Sequence, residues 1–203
     1  MIKAVLFDFD GVLTLDKTGT QSISNYICSQ AGINIIKFKE CYYKYNNKLL
    51  YGQLEHKDIW EELCSEIGKE IEYSILEKSF INTPIDQEML ALVKKFKNNY
   101  KIAMVTDNKK DRIDSIVAYY DWHKLFDIIS ISAEVGSGKD SEDIFIQTLA
   151  KLNVQANECV FIDNTESNLV IPSKLGFNII YYNDEERNIE KLKCELKSLQ
   201  IEI

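Results

Sequence analysis

Two hydrophobic patterns divide this chain into predicted strands and predicted helices. Short apolar runs bounded by polar residues predict buried strands, and longer stretches with an apolar residue every three to four positions predict amphipathic helices. The predicted strands lie at 4–12, 101–106, 126–131, 159–162 and 178–181. The predicted helices lie at 22–31, 35–50, 55–68, 71–80, 88–97, 112–120, 141–152, 166–175 and 185–199.

The order of these elements predicts an α/β fold. After position 88, helices alternate with strands, which is typical of right-handed βαβ units in a doubly wound, Rossmann-like parallel sheet. Four predicted helices follow the first strand with no strand between them, which indicates a helical insertion. We therefore predict a Rossmann-like core at 1–15 and 83–203 and a small helical domain at 16–82.

Composition and charge narrow the possible partners. The chain has 203 residues, 45% of them hydrophobic, which is enough for one large domain or a core with an insertion. Its net charge of −8 argues against nucleic acids and acidic membranes, which need a basic surface. The five cysteines are odd in number and widely spaced, so free thiols and a cytoplasmic location are expected. The sequence leaves monomer and homodimer open.

Asp8 and Asp10 are the first candidates for chemistry, because they stand at the end of the first apolar run. The carboxyl ends of parallel strands form the ligand crevice of an open α/β sheet. Two acids at this edge need compensation, and a hard divalent cation is the usual partner. The alternative is an ordinary turn, since Asp and Gly both favour turns.

Further polar residues follow later strands at the same predicted edge. They are Thr106 and Asp107, Lys139 in a glycine-containing loop, and Asp163 and Asn164. Carboxylates that hold a cation, together with a hydroxyl and an ammonium that bind anionic oxygens, form the combination that phosphoryl transfer needs. A structural alternative is that Asp163 and Asn164 only cap the next helix.

The order Asp8-x-Asp10-Gly11, Thr106, Lys139, Asp163 resembles the haloacid dehalogenase superfamily of phosphatases, in the subfamily with a small helical cap. The segment Tyr51-Gly52-Gln53-Leu54 is similar to cap sequences of sugar-phosphate phosphatases and of the phosphatase domains of epoxide hydrolases. The resemblance implies that the 16–82 insertion is such a cap. It also implies a magnesium-dependent hydrolase that cleaves a small phosphorylated metabolite.

The resemblance further implies residue roles. Asp8 would be the nucleophile that forms an aspartyl-phosphate, and Asp10 would be the general acid and then the general base. The substrate phosphate would be bound by Thr106, Asp107 and Lys139. Mg²⁺ would be held by Asp8, the backbone carbonyl of Asp10, Asp163 and Asn164.

Three positions depart from the family pattern, and they leave alternatives open. Asp107 replaces the usual asparagine, Asp140 replaces a common proline, and Asn164 replaces a second acid. A catalytically weakened phosphate-binding protein therefore remains an alternative. A phosphomutase of the β-phosphoglucomutase type is another, because the same aspartyl-phosphate can be passed to a second hydroxyl. A dehalogenase is disfavoured because that reaction has no need of Asp10, and the motif order differs from that of receiver domains.

Outside these motifs, we expect no chemistry. His56 and His123 have no partners at ligand spacing and are expected at the surface. The tyrosines at 42, 43, 45 and 51 are expected mainly to pack between helices, with one or two of them facing the crevice.

Overall fold

The computed structural model describes all 203 residues. The strands are β1 (Ala4–Phe7), β2 (Lys101–Thr106), β3 (Ile128–Ile131), β4 (Cys159–Asp163) and β5 (Asn178–Tyr181). The helices before β2 are α1 (Gly19–Ala31), α2 (Ile35–Leu50), α3 (His56–Ile67), α4 (Tyr73–Ile81) and α5 (Gln87–Phe96). The later helices are α6 (Lys110–Tyr120), α7 (Ser132–Val135), α8 (Asp143–Leu152), α9 (Val170–Leu175) and α10 (Ile189–Ser198). Short 3₁₀ turns lie at Trp122–Lys124, Ala156–Glu158 and Glu166–Leu169.

The five strands form one parallel sheet in the order β3-β2-β1-β4-β5. The central strand β1 is in register with both neighbours, so that Phe7 pairs with Met104 on one side and Ile162 on the other. This register aligns the carboxyl ends of β1, β2 and β4. The Rossmann-like α/β fold is confirmed.

The sheet separates two apolar clusters, because successive side chains of a strand point to opposite faces. Val5 and Phe7 belong to the larger cluster, which continues into α1–α5. Ala4 and Leu6 belong to the smaller cluster, which includes residues of α8. All five cysteines are free thiols, as predicted. None of the helices is both long enough and apolar enough to cross a membrane.

Two antiparallel segments connect the helical insertion to the rest of the chain. The backbone N–H of Leu15 donates to Pro84, that of Asp86 donates to Leu13, and Thr14 bridges to Ile85. Within the insertion, α1 packs against α4 and α2 against α3. The chain therefore leaves and re-enters the core through a pair of adjacent strands of chain.

The predicted boundaries were wrong where local polar bonds end or begin an element. The first strand ends at Phe7 and not at position 12, because the chain turns back and the N–H groups of Leu13 and Thr14 donate to the Phe9 carbonyl. Helix α1 begins three residues before the predicted start, because the Thr18 hydroxyl caps it by accepting from the N–H of Gln21. The start predicted at 166 for α9 is a 3₁₀ turn.

Candidate active site

The carboxyl ends of β1, β2 and β4 open into a cleft of about 230 Å³ between the sheet and the helical insertion. The core lines it with Asp8, Asp10, Thr106, Asp107, Lys109, Lys139, Asn164, Thr165 and Asn168. The insertion and its entry loop line it with Lys17, Thr18, Gly19, Thr20, Tyr43, Asn46 and Leu50. Of the residues predicted for the site, only Asp163 does not line the cleft; it is fully buried.

Lys139 joins the ends of β1 and β4. Its ammonium lies 2.8 Å from Oδ1 of Asp8 and 2.7 Å from Oδ2 of Asp163. Burial opposes the charged ammonium, but Asp8, Asp163 and Asp107 together outweigh burial and raise the pKa of Lys139 above its ordinary value. Burial and the nearby Asp163 raise the pKa of Asp8 well above its usual range, although Lys139 acts in the opposite direction. Three buried or nearly buried acids thus surround one cation.

Asp163 is held in place by its own turn. Its Oδ1 accepts from the N–H of Thr165 at 2.8 Å, and both oxygens accept from the Asn168 amide at 3.2 Å. Asp163 therefore caps the turn that follows β4, as the structural alternative expected, and also contacts Lys139. Asn168 thereby steadies this turn.

Asp10 is engaged by a buried arginine that the sequence analysis did not single out. The guanidinium of Arg112 donates from Nη1 to Oδ2 at 2.8 Å and from Nη2 to Oδ1 at 2.9 Å. The Asn108 amide also donates to Oδ2 at 2.7 Å and reaches the Thr106 hydroxyl at 3.2 Å. Arg112 is completely buried, and its second Nη contacts Thr83 beside the connection to the insertion. The Asp10 carboxylate is therefore fixed from the helix side of the cleft.

Asp107 supports the loop that carries Lys139. Its Oδ1 accepts from the backbone N–H of Lys139 at 2.9 Å, and burial raises the pKa of its carboxyl. The departure from the family asparagine thus keeps an oxygen acceptor at this position and adds a negative charge to the cleft.

The donor set of the strand ends fits a hard cation. No group of three or more His, Cys, Asp or Glu side chains is arranged to hold a metal by itself. The oxygens present are the carboxylates of Asp8 and Asp163, the Asn164 amide and the Asp10 carbonyl, which accepts no backbone hydrogen bond. Oxygen ligands of this kind suit Mg²⁺. These residues fit the Mg²⁺ ion that the resemblance implies.

Gly11 lets β1 and β4 approach each other at this edge. Its φ of +81° is in the left-handed region, and a Cβ there would lie 2.2 Å from Nδ2 of Asn164. A side chain at position 11 would therefore displace Asn164 from the cleft.

The surface position expected for His56 was wrong. His56 is completely buried, with Nδ1 2.7 Å from Asp111 and Nε2 2.7 Å from the Tyr42 hydroxyl. A carboxylate only accepts, so Nδ1 donates to Asp111 and Nε2 accepts from Tyr42. Burial lowers the pKa of His56, in keeping with a neutral ring. The bonds to this ring link α2, α3 and α6, while His123 is exposed, as expected.

Sequence reasoning missed the polar residues around α6, which are Asn108, Lys109, Asp111 and Arg112. One signal was available, since Asn108 and Arg112 are four residues apart, a spacing at which two side chains can meet at the start of a helix. Nothing in the pattern indicates that these side chains are buried. Among the tyrosines, Tyr42 packs in the core and Tyr43 reaches the cleft, in line with the expectation.

Comparisons with known proteins agree with this architecture. A sequence model described as haloacid dehalogenase-like hydrolase matches residues 2–169. A HAD-like family hydrolase from Porphyromonas gingivalis has a similar structure, with a TM-score of 0.76 and 20% identity over 97% of this chain and 98% of the other. A HAD family enzyme from Bacteroides thetaiotaomicron, in complex with magnesium and inorganic phosphate, gives a TM-score of 0.67 and 17% identity over 89% and 94% of the two chains.

One curated relative is similar over a shorter segment. The bifunctional riboflavin kinase/FMN phosphatase of Arabidopsis thaliana is 26% identical over 80 residues, which is 39% of this chain. The chain spans only 21% of that protein's length. Because the family match extends over most of the chain, the protein belongs to the haloacid dehalogenase-like hydrolase family.

Proposed function

We propose that this hydrolase is a magnesium-dependent phosphomonoesterase that acts on a small phosphorylated metabolite through an aspartyl-phosphate. The observation that carries the proposal is the Lys139 ammonium, within 2.8 Å of Asp8 and 2.7 Å of Asp163 at the ends of adjacent strands. The Thr106 hydroxyl lines the same cleft. The magnesium and phosphate bound by the Bacteroides enzyme support the assignment of both ligands.

In the proposed reaction, an oxygen of Asp8 attacks phosphorus and the ester P–O bond breaks. Asp10, in its protonated form, gives its proton to the leaving oxygen and then takes a proton from the water that hydrolyses the acyl phosphate. Thr106 and Lys139 bind the phosphoryl oxygens and stabilise the charge that develops there. Asp8, the Asp10 carbonyl, Asp163 and Asn164 would hold Mg²⁺, which would further neutralise that charge.

We also propose that the helices at 16–82 act as a cap over the core formed by 1–15 and 83–203. The two adjacent connecting segments support this division, because the backbone bonds Leu15–Pro84 and Asp86–Leu13 hold them side by side where the chain leaves and re-enters the core. Residues on both sides line the cleft, so movement of one part against the other would open it to substrate.

A second candidate function is a phosphate-binding protein with weakened catalysis, and the ion pair between Asp10 and Arg112 favours it. Both oxygens of Asp10 accept from Arg112, so neither is free to give a proton to a leaving group while this pair holds. Asp107 adds a further negative charge where a phosphate must bind. Binding without turnover would follow if Arg112 never releases Asp10.

The test is p-nitrophenyl phosphate hydrolysis with and without Mg²⁺, measured by release of inorganic phosphate. We expect Asp8→Asn to reduce kcat by at least about a thousandfold, since the nucleophile is lost. The matched control is Asp140→Asn, which removes an exposed acid from the Lys139 loop and is expected to keep wild-type activity. Undiminished activity of Asp8→Asn would refute the mechanism, and calorimetric phosphate binding without turnover would favour the second candidate.

A further inference from the structure

Three lysines line the cleft, and they differ in their partners. Lys139 is bonded to the two buried acids already described. Lys17, at the exposed rim, lies 3.5 Å from Asp184. Lys109 has no carboxylate oxygen within 4.0 Å and no acceptor for its ammonium, although only 4% of the residue is exposed. Lys109 is thus the one cation of the cleft without an anionic partner.

The surroundings of Lys109 do not replace that partner. Its ammonium lies 5.8 Å from the centre of the Tyr42 ring, and such a contact offsets only a small part of the cost of removing an ammonium from water. The nearby acids are already engaged, Asp10 by Arg112 and Asp111 by His56. Burial, reinforced by repulsion from Arg112, lowers the pKa of Lys109 to about 8. An anion bound in the cleft would relieve this cost.

A second unsatisfied group belongs to a residue that lines the same cleft from the insertion. The side-chain oxygen of Asn46, on α2, is buried and accepts no hydrogen bond. A buried acceptor without a donor is costly, so an O–H or N–H supplied by a ligand would be favourable here. Lys109 and Asn46 therefore offer one cation and one acceptor in addition to the groups assigned to the phosphoryl site.

We propose that Lys109 and Asn46 form a second subsite for a carboxylate and a hydroxyl of the substrate, which would make the substrate a short phosphorylated hydroxy acid. The proposal rests on the phosphomonoesterase function given above. A carboxylate is favoured over a second phosphate because its single charge matches the single free ammonium. The cleft of about 230 Å³ also suits a short carbon chain.

The test compares two probes of nearly equal size, 3-phosphoglycerate and glycerol 3-phosphate, which differ by a carboxylate in place of a hydroxymethyl group. We expect wild-type kcat/KM to favour the acid by roughly 10- to 100-fold, the range expected for a hydrogen bond to a charged group. Lys109→Met should abolish most of this preference through a higher KM for the acid. The matched control is Lys110→Met, which removes the adjacent exposed lysine bound to Asp114 and Glu134 and should keep the preference.

Each result decides the question. Equal wild-type kcat/KM values for the two probes would overturn the inference. An equal loss of kcat/KM for both probes in Lys109→Met would also overturn it, because it would mean that Lys109 binds the transferred phosphate. Lys109→Met should melt no lower than wild type, because its ammonium has no protein partner, and a midpoint lowered by more than about 5 °C would also overturn the inference. Failure of wild type to hydrolyse p-nitrophenyl phosphate with Mg²⁺ would instead refute the proposed function itself.

Discussion

Removal of Arg112 tests how much the buried pair with Asp10 contributes to stability. The guanidinium makes two charge-assisted bonds of 2.8 and 2.9 Å to Asp10 and is completely buried against the Phe9 ring. Arg112→Met keeps much of the side-chain volume and leaves the Asp10 carboxylate with only the Asn108 amide as a donor. The perturbation is therefore mainly the loss of a counter-charge.

The expected loss of unfolding free energy follows from the burial of both Arg112 and Asp10. Breaking a buried ion pair by removing one member costs about 3–5 kcal/mol, because the other charge remains without compensation. For a chain of this length, that loss lowers the melting midpoint by roughly 6–20 °C. Asp10→Asn should cost a similar amount, since it leaves Arg112 buried without a charged partner. The double variant should cost less than the sum of the two, by at least about 2 kcal/mol.

The assay is a double-mutant cycle of urea unfolding at neutral pH. The control cycle is Lys110→Met with Asp114→Asn, an exposed pair of 2.6 Å on the same helix, for which the coupling should stay below about 0.5 kcal/mol. Additive effects at Arg112 and Asp10, within about 0.5 kcal/mol, would refute the reasoning. They would mean that the guanidinium does not hold the carboxylate in solution.

Three further predictions follow from single positions. Asp107→Asn keeps an acceptor for the Lys139 N–H and removes a charge, so inorganic phosphate should inhibit about 3- to 10-fold more strongly; unchanged inhibition would contradict a role for that charge. Gly52→Ala should lower the free energy of unfolding by about 2–4 kcal/mol, because φ is +68° and the new Cβ would lie 2.0 Å from the Ala133 carbonyl oxygen. The control Gly136→Ala has a φ of +80° but open space around the new Cβ, so it should lower the free energy of unfolding by only about 1 kcal/mol. Equal losses in the two variants would contradict the clash. Burial lowers the pKa of His56 in the folded state, so its contribution to stability is present above about pH 6.5 and is lost as pH falls through the folded pKa. In His56→Gln, the free energy of unfolding in urea should therefore change less between about pH 7 and 5 than in wild type. Equal slopes of unfolding free energy against pH in the two proteins would contradict this.

The fold could be predicted because apolar periodicity alone distinguishes its strands from its helices. Helix α2 and strands β2 and β5 have the predicted bounds. Boundaries failed where one polar bond decides them, as at Thr18, whose hydroxyl extends α1 towards the amino terminus. Periodicity describes which face is buried and contains no information about such a bond.

The strand-end part of the site could be predicted for a topological reason. Residues that follow parallel strands meet at one edge of the sheet, whatever sequence lies between the strands. Asp8 and Asp163 were therefore expected to lie together, although they are 155 positions apart in the sequence. No such rule applies to a polar residue on a helix. Arg112 and His56 are of types that usually face water, and each is buried here through bonds to residues distant in sequence.

Four of the residues that were missed, Asn108, Lys109, Asp111 and Arg112, lie together at the start of α6, where the core meets the insertion. Lys109 lies over Tyr42, Asp111 accepts from His56, and Arg112 contacts Thr83. The following apolar residues of α6 are buried in the main core instead. Arg112 is the partner of the proposed acid and contacts Thr83 beside the connection to the insertion, and Asp111 accepts from His56 of the insertion. We therefore expect substitutions of Arg112 or Asp111 to change activity and stability together. Lys109→Met should instead change selectivity without lowering stability, and substitutions at Asp8 act on the chemistry.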